Sequence, residues 1–274
     1  MHSKAPKRIL CIHSLACEGR PSLAVIAPTL AAMGCQPVML PTAVLSTHTG
    51  GYGEPARLAT EGWCAAALEH YKALELDFDC IYTGYLATEA QVDIALRAFD
   101  LWPKALKVTD PVLGDHGRLY AGLPDGLRGR IRALCDRADL VIPNLTEAAF
   151  LLGRDPADLP DADAARAMAA ELADRYPSVL VTGVPSGDFL LNLGAEAGRQ
   201  PFTVRRIKVG RSFHGTGDLF GAVTVGALMN DKALSAAADQ AADFVADAIA
   251  ATPADADERA GVWFEPLLGR LIPR

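Results

Sequence analysis

The sequence predicts an α/β fold in three layers, with helices on both faces of a mostly parallel sheet that carries an antiparallel edge hairpin. Short apolar or β-branched runs alternate with longer Ala- and Leu-rich segments of helical period, which is typical of a parallel sheet covered on both faces. The chain has 274 residues, and 50% of them are hydrophobic. We therefore expect one large core and a single domain over residues 1–274.

The strands are predicted from short runs rich in apolar and β-branched residues. The last two flank a Gly- and Ala-rich segment at 194–198, which indicates a hairpin and an antiparallel sheet edge. The predicted strands are 8–12, 37–40, 80–83, 105–109, 140–142, 179–182, 188–193 and 201–209.

The helices are predicted from longer segments in which apolar residues recur at helical spacing. Predicted helices are 22–33, 55–76, 89–100, 125–138, 145–152, 161–176, 218–229, 232–251 and a C-terminal piece after Arg259.

Composition excludes several functional classes. The net charge is −7, and Lys and Arg are scattered, which argues against a nucleic-acid partner. The six cysteines form no CxxC pair or metal-ligand spacing, which indicates free thiols in a reducing compartment. Since no leader and no apolar run long enough to cross a bilayer is present, we expect a cytoplasmic protein without a membrane partner.

Polar and Gly-rich residues follow each of the first six predicted strands. In open α/β sheets, ligands bind beyond the carboxyl ends of the strands, so these residues should meet at one edge. They are His13-Ser14, residues 42–52, Gly84-Tyr85, residues 110–115, residues 143–147 and Gly183.

The segment Gly215-Thr216-Gly217-Asp218 stands between the last predicted strand and an apolar helical stretch. Glycines allow backbone amides to approach a phosphoryl oxygen, and a helix N-terminus favours the same anion. A carboxylate beside that position suits the proton of an attacking hydroxyl, so the segment predicts phosphoryl transfer to an alcohol. The alternative is a tight turn with Asp218 as an ordinary helix cap.

Asp110, Asp115, Asn144 and Glu147 bring carboxylate and amide oxygens to two further strand ends. Because Mg²⁺ uses one or two carboxylates together with water and nucleotide phosphates, their shared position predicts a magnesium–ATP site. Taken alone, Asn144 and Glu147 would favour a capping box, and residues 110–111 could be a plain turn.

Together, these motifs resemble the ribokinase-like superfamily and, within it, the pyridoxal kinases. The superfamily resemblance lies in DPVLGD at 110–115, PNLTE at 143–147 and HGTGD at 214–218. The resemblance to pyridoxal kinases lies in LPTAVLSTHTG at 40–50, YTGYL at 82–86 and DHGRLY at 115–120. It implies a ribokinase-like kinase domain that phosphorylates the 5′-hydroxyl of pyridoxal, pyridoxamine or pyridoxine in vitamin B6 salvage.

The resemblance also implies a role for each matching residue. Asp218 would be the base, and Gly215, Thr216 and Gly217 the anion hole over the transferred phosphoryl group. The implied contacts to the pyridine substrate are Ser14, His48, Thr49, Tyr85 and Asp218. Those to ATP are Asp115, Tyr120, Asn144, Glu147, Thr182, Gly215 and Gly217.

Cofactors and assembly follow from the same resemblance. Asp115 and Glu147 would organise Mg²⁺, while a monovalent cation, K⁺ by expectation, would be held by Asp110, Thr146, Thr182 and Gly215. Residues 115–120 would form a flap over ATP that excludes water. Family members are commonly homodimers, and we expect a homodimer here.

Two other functions stay open at this point. One is a kinase of hydroxymethylpyrimidine or another small hydroxymethyl compound. The other is a non-catalytic binder of B6 vitamers, against which the intact base and anion hole argue. The predicted substrate-facing loop 13–19, with Cys17-Glu18, departs from the pyridoxal kinase pattern and puts the ring specificity in doubt.

Overall fold

A computed structural model of the chain describes residues 5–120, 124–158 and 160–273. Within them, nine strands form one sheet and two very short strands form a separate hairpin. The strands are β1 (Arg8–Glu18), β2 (Gln36–Thr47), β3 (Arg57–Ala59), β4 (Cys80–Thr83), β5 (Leu106–Thr109), β6 (Gly114–Asp115), β7 (Arg118–Leu119), β8 (Leu140–Val141), β9 (Ser178–Ser186), β10 (Phe189–Glu196) and β11 (Phe202–Ile207).

The helices cover both faces of the sheet. They are α1 (Leu23–Ala32), α2 (Glu61–Ala73), α3 (Glu89–Leu101), α4 (Asp125–Cys135), α5 (Leu145–Leu151), α6 (Ala162–Ala173), α7 (Thr216–Met229) and α8 (Leu234–Ala251), with 3₁₀ turns at Glu258–Ala260 and Glu265–Leu271.

The strand order is β11-β10-β9-β8-β5-β4-β1-β2-β3, and the pairs from β9 through β2 are parallel. Successive residues of a strand point to opposite faces of the sheet, and each face packs against helices to form a separate hydrophobic core. Leu10 and Ile12 pack with α2 to α6, whereas Ile9 and Cys11 pack with α1, α7 and α8. The predicted three-layer fold with a mostly parallel sheet is confirmed.

Both edges of the sheet are antiparallel, and this corrects the predicted boundaries. At one edge β10 and β11 form the predicted antiparallel hairpin, β9 also pairs antiparallel with β10, and β10 extends into the predicted turn as far as Glu196. At the other edge, Arg57–Ala59 is a strand and not the start of a helix, because it pairs with the free edge of β2. Backbone N–H and C=O groups of these segments form hydrogen bonds with a partner strand, and the local sequence pattern does not reveal that partner.

Strands β1 and β2 extend well past their predicted ends. They stay paired as far as Glu18 and Thr47, so residues 13–18 are a strand and not the predicted loop. The register shifts between His13 and Leu15, which is an irregularity of the kind that redirects a side chain near a site. The C-terminal piece after Arg259 consists of 3₁₀ turns in place of an α-helix.

All six cysteines are free, and Cys17 is exposed. In the described ranges, no helix is both long and apolar enough to cross a membrane.

Candidate active site

The N-terminus of α7 carries the predicted anion-binding segment. Gly215 has φ 82° and ψ 0°, and a Cβ added there would lie 2.2 Å from the carbonyl oxygen of Arg20. Only glycine fits a left-handed position against another backbone. A Cβ on Gly217 would meet no atom within 4 Å, so the surface over this turn is open. The hydroxyl of Thr216 donates to the carbonyl of Phe213 at 3.1 Å and closes the turn.

Asp218 lies in the first turn of α7 with its two carboxylate oxygens in different surroundings. Oδ2 accepts a hydrogen bond from the backbone N–H of Ser22 at 2.8 Å. For Oδ1, no hydrogen bond is found within the described residues. Burial raises the pKa of Asp218 from 3.8 to about 6. The group is therefore mostly ionised at neutral pH, with a basicity that suits proton abstraction.

Ser14 lies close to this carboxylate, at the irregularity in β1. Its hydroxyl donates to the Ser22 hydroxyl at 3.2 Å, while the backbone N–H of Ser22 donates to Asp218, so Ser22 contacts both residues through different groups. Ser14 is 5% exposed. The structure thus brings one predicted substrate residue close to the predicted base.

His48 is buried, and both of its ring nitrogens are engaged. Nε2–H donates to the carbonyl of Arg259 at 2.7 Å, and Nδ1 accepts from the Gly50 amide at 3.1 Å. The ring centroid is 4.7 Å from that of His214, which directly precedes the anion-binding turn. His48 therefore joins the loop after β2 to the C-terminal segment and to the start of α7.

Thr49 is exposed and Tyr85 is half-buried. Neither side chain makes a hydrogen bond within the part of the chain that the structure describes. Their predicted contact with a substrate stays a prediction.

His13 begins the segment 13–19 that was predicted to face the substrate, but its own side chain is buried in the sheet. The side chain is 0% exposed and lies edge-on to Tyr82, with ring centroids 4.4 Å apart. Gly84 leaves room for it, because a Cβ there would come within 2.3 Å of Nδ1. Burial lowers the pKa of His13 to about 3, so the ring is neutral and belongs to the sheet core.

The N-terminus of α5 is closed by a capping box. The Asn144 side chain accepts from the Glu147 amide at 3.0 Å, and Glu147 Oε2 accepts from the Asn144 amide at 2.9 Å. Oε1 of Glu147 accepts from the Leu113 amide at 2.8 Å. The capping-box alternative is therefore correct, and Glu147 is 2% exposed with backbone donors on both oxygens.

Three carboxylates at this edge of the sheet have raised pKa values. Burial raises the pKa of Glu147 to about 7, although hydrogen bonds from backbone amides act in the opposite direction. Burial, with the nearby charges of Glu147 and Asp218, raises the pKa of Asp110 well above its usual value. A cation bound beside Asp110 would therefore favour its ionised form, which burial and the charges of Glu147 and Asp218 disfavour.

The predicted flap is a short hairpin made by β6 and β7. Residues at the start of α5 form hydrogen bonds with this hairpin. The Thr146 hydroxyl accepts from the Gly117 amide at 2.8 Å, and Asn144 Nδ2 donates to the Gly114 carbonyl at 2.7 Å. Together with the Glu147 contact to Leu113, this gives three tethers between the hairpin segment and one helix end.

The exposed residues of this region lie on or beside that hairpin. Asp115 is exposed, and its Oδ1 accepts from the His116 amide at 2.7 Å. Tyr120 is 44% exposed. Burial, followed by the negative charges of Glu147, Asp115, Asp110 and Asp218, raises the pKa of the Tyr120 phenol. Tyr120 therefore lies within electrostatic range of all four carboxylates.

Thr182 joins the two neighbouring strand ends. Its amide donates to the carbonyl of Pro143 at 2.9 Å, and it bridges to Asn144. Within the described residues, no three His, Cys, Asp or Glu side chains are arranged to hold a metal ion by themselves.

Two contributors to the site were missed at the level of sequence. Ser22 contacts Asp218 from 196 residues away, and Arg259 contacts His48 from 211 residues away. Both use backbone atoms, so no side-chain pattern could have revealed them. The sequence Arg20-Pro21-Ser22 before α1 indicates a turn, but nothing in it indicates a contact with Asp218.

Comparison with known proteins places the chain in a family. A family profile described as phosphomethylpyrimidine kinase matches residues 27–262. The chain belongs to the phosphomethylpyrimidine kinase family. Among solved structures, a family protein from Bacteroides thetaiotaomicron is 34% identical, with a TM-score of 0.93 over 99% of this chain and 96% of that one. The same protein was also solved in a crystal form with pyridoxal.

Pyridoxal kinases are also among the relatives. Pyridoxal kinase from Lactobacillus plantarum is 29% identical, with a TM-score of 0.89, and the match covers 98% of this chain and 97% of that one. Pyridoxal kinase PdxY from Granulibacter bethesdensis is 30% identical over 78% of this chain and 79% of its own length. The resemblance to pyridoxal kinases on the ribokinase-like fold is confirmed.

Proposed function

We propose that this chain transfers the γ-phosphoryl group of ATP to the 5′-hydroxyl of a B6 vitamer: pyridoxal, pyridoxamine or pyridoxine. The observation that carries the proposal is the start of α7, where a left-handed Gly215 opens the backbone to an anion beside the unshared oxygen of Asp218. The relatives named as pyridoxal kinases, and the Bacteroides structure with pyridoxal, support the choice of acceptor.

In the reaction, the vitamer hydroxyl oxygen forms a bond to the γ-phosphorus while the bond from phosphorus to the β–γ bridging oxygen breaks. ADP leaves with that oxygen, and the hydroxyl proton passes to Asp218. Gly215, Thr216 and Gly217 offer backbone amides to the charge on the transferred group, which supplies the largest electrostatic term in reactions of this kind.

The substrate ring would lie on the β1–β2 side of Asp218. Ser14 is the candidate for a direct hydrogen bond, since its hydroxyl already lies in the chain of contacts to the base. Thr49 and Tyr85 are the candidates for contacts to the remaining ring substituents. His48 would act mainly by fixing the loop that carries Thr49.

The nucleotide would lie between α5, α7 and the hairpin, with Tyr120, Asn144 and Thr182 beside it. Asp115 fits Mg²⁺ because its carboxylate is exposed, and within the described residues its one basic neighbour in an ion-pair position is the His116 ring at 3.5 Å. Glu147 would act on Mg²⁺ through water, because backbone amides occupy both of its oxygens. When bound, Mg²⁺ would neutralise the phosphate charge.

A monovalent cation fits the raised pKa of Asp110, whose buried charge is surrounded by other carboxylates. Asp110, Thr146, Thr182 and Gly215 would hold it. Because Thr146 already accepts from Gly117, a cation there would also be linked to the hairpin. We further expect a homodimer, which sedimentation velocity would test.

A second candidate acceptor is hydroxymethylpyrimidine, favoured by the description of the matching family. An ADP-release assay with Mg-ATP and K⁺ separates the two acceptors when the three pyridines and the pyrimidine are offered in parallel. We expect kcat/KM for the best pyridine to exceed that for the pyrimidine by at least about tenfold, a difference of about 1.4 kcal/mol in transition-state binding. A preference for the pyrimidine would overturn the proposed acceptor, and no turnover with any of the four would favour a non-catalytic binder.

A further inference from the structure

Ser22 is the residue that holds Asp218 from outside α7. It lies directly before α1, is 6% exposed, and donates its backbone N–H to Asp218 Oδ2 at 2.8 Å. Its backbone has φ 52° and ψ −135°, a conformation that a residue with a side chain rarely adopts. A strained residue persists only where its surroundings fix it, and such residues concentrate at functional sites.

Three contacts fix Ser22 in this conformation. Its carbonyl accepts from the amides of Val25 and Ile26 at the start of α1, at 3.1 and 3.0 Å. Its hydroxyl contacts that of Ser14 at 3.2 Å. Two residues earlier, the carbonyl of Arg20 packs against the Cα of Gly215, where a Cβ would approach to 2.2 Å. The 20–22 turn thus touches both the anion-binding turn and the carboxylate of the base.

We propose that the Ser22 amide is the positioning group for the base: by fixing Oδ2 of Asp218, it leaves Oδ1 directed at the substrate hydroxyl. Ser22 contacts the base and not the reacting atoms, so its effect on turnover is indirect. The inference rests on the proposed function and deepens it. Ser22 also lies outside residues 27–262, over which the family profile matches.

The same hydrogen bond also lowers the pKa of the base. An N–H that donates to a carboxylate favours the ionised form and holds its pKa down, against burial. Within the described residues, the titratable groups on which Asp218 acts electrostatically include Asp110, Tyr82 and Tyr120, and these three are acids. Loss of the amide would therefore raise the pKa of Asp218 further.

Replacement of the amide N–H by an ester oxygen tests this role directly. An α-hydroxy acid is incorporated at position 22 of the full chain, which removes the donor and keeps the backbone shape. Because a hydrogen bond to a charged group contributes about 1.5–3 kcal/mol, we expect kcat to fall by at least about tenfold. The acid limb of the pH profile should move up by about one unit, with KM for ATP within about twofold.

The matched control is the same substitution at Lys107. Its amide donates to Asp139 Oδ2, also at 2.8 Å, at the opposite end of the sheet from the site. The fold then loses an equivalent hydrogen bond, but kcat and the pH profile should not change. The inference fails if the ester at position 22 leaves the pH profile of kcat where it is in the unmodified protein, or if both esters move it equally.

A second measurement needs neither turnover nor a modified backbone. In an ¹⁵N-labelled sample, the chemical shift of the Ser22 amide proton should change as Asp218 ionises, and that change should vanish in Asp218→Asn. The Lys107 amide, which contacts Asp139 and not Asp218, should give the same signal in both proteins. A Ser22 amide that does not titrate in the unmodified protein would overturn the inference, even if no alcohol were turned over and the proposed function had failed separately.

Discussion

The starts of α5 and α7 form a natural pair for comparison. Both helices begin at the same edge of the sheet, and each carries a carboxylate in its first turn, Glu147 and Asp218. Backbone amides occupy both oxygens of Glu147, which is almost fully buried. Among the residues that the structure describes, only Ser22 donates a hydrogen bond to Asp218, and it contacts one of the two oxygens. The similar local pattern therefore produces a structural cap in one helix and an available base in the other.

The largest effect should come from Asp218→Asn. The amide side chain can still accept from Ser22, but it cannot take the proton of the substrate hydroxyl. We expect turnover to fall by about a thousandfold, with ATP affinity nearly unchanged. Steady-state kinetics and direct nucleotide titration measure the two effects, and near-normal turnover would remove Asp218 from the mechanism.

The same variant should be more stable than the natural protein at pH 8. The folded pKa of Asp218 is raised from 3.8 to about 6, so the native state retains its proton longer than the unfolded chain does. Stability from this group is therefore present at low pH and is lost as pH rises through about 6. We expect Asp218→Asn to gain about 1–2 kcal/mol in urea unfolding at pH 8 and almost nothing at pH 4.

Gly215→Ala tests the geometry of the α7 start. The new Cβ would clash with the Arg20 carbonyl, and alanine disfavours the left-handed backbone of this position. We therefore expect the free energy of unfolding to fall by about 2–4 kcal/mol and turnover to fall by at least about 100-fold. Gly217→Ala is the matched control for stability, because its Cβ meets open space and alanine favours a helix. Equal stability of the two variants would contradict the close approach.

Glu147→Ala should act in the opposite direction to Asp218→Asn on stability. The change leaves the amides of Leu113 and Asn144 without their partner, and we expect a loss of about 2–4 kcal/mol in urea unfolding. KM for ATP should rise because the hairpin loses a tether.

The control for Glu147→Ala is Glu171→Ala, which removes an exposed carboxylate paired with Arg154 and should cost less than about 1 kcal/mol. If the two alanine variants unfold alike, the capping role of Glu147 is refuted.

The smallest effect is expected for Thr146→Val, which keeps the side-chain shape and removes the acceptor of the Gly117 amide. A looser hairpin should raise KM for ATP by about two- to fivefold, which corresponds to about 0.4–1 kcal/mol. It should also increase the release of ADP by ATP hydrolysis when no vitamer is present.

Thr224→Val is the control for Thr146→Val. Its buried hydroxyl has no hydrogen-bond partner within the described residues, so the kinetics should not change and stability should stay equal or rise. Unaltered ADP release in Thr146→Val would show that the tether does not control the hairpin.

The sequence predicted the parts of the site that local chemistry defines. The turn at 215–218 and the capping pair Asn144 and Glu147 were visible because their glycines, amides and carboxylates have strong local preferences. The core strands of the sheet were visible for the same reason, through their apolar runs. The extension of β1 to Glu18 and the edge strand Arg57–Ala59 were not, because each is stabilised by a partner strand and not by its own pattern.

The amino-acid sequence by itself determined the fold class, the family resemblance and the residue types that meet at the sheet edge. Only the tertiary structure decided what each carboxylate does. It placed Leu113 and Asn144 amides on Glu147, and the strained Ser22 amide on one oxygen of Asp218. The physical reason is that the reactivity of a carboxylate depends on its burial and on the donors that contact it, and here those donors include backbone groups distant in sequence.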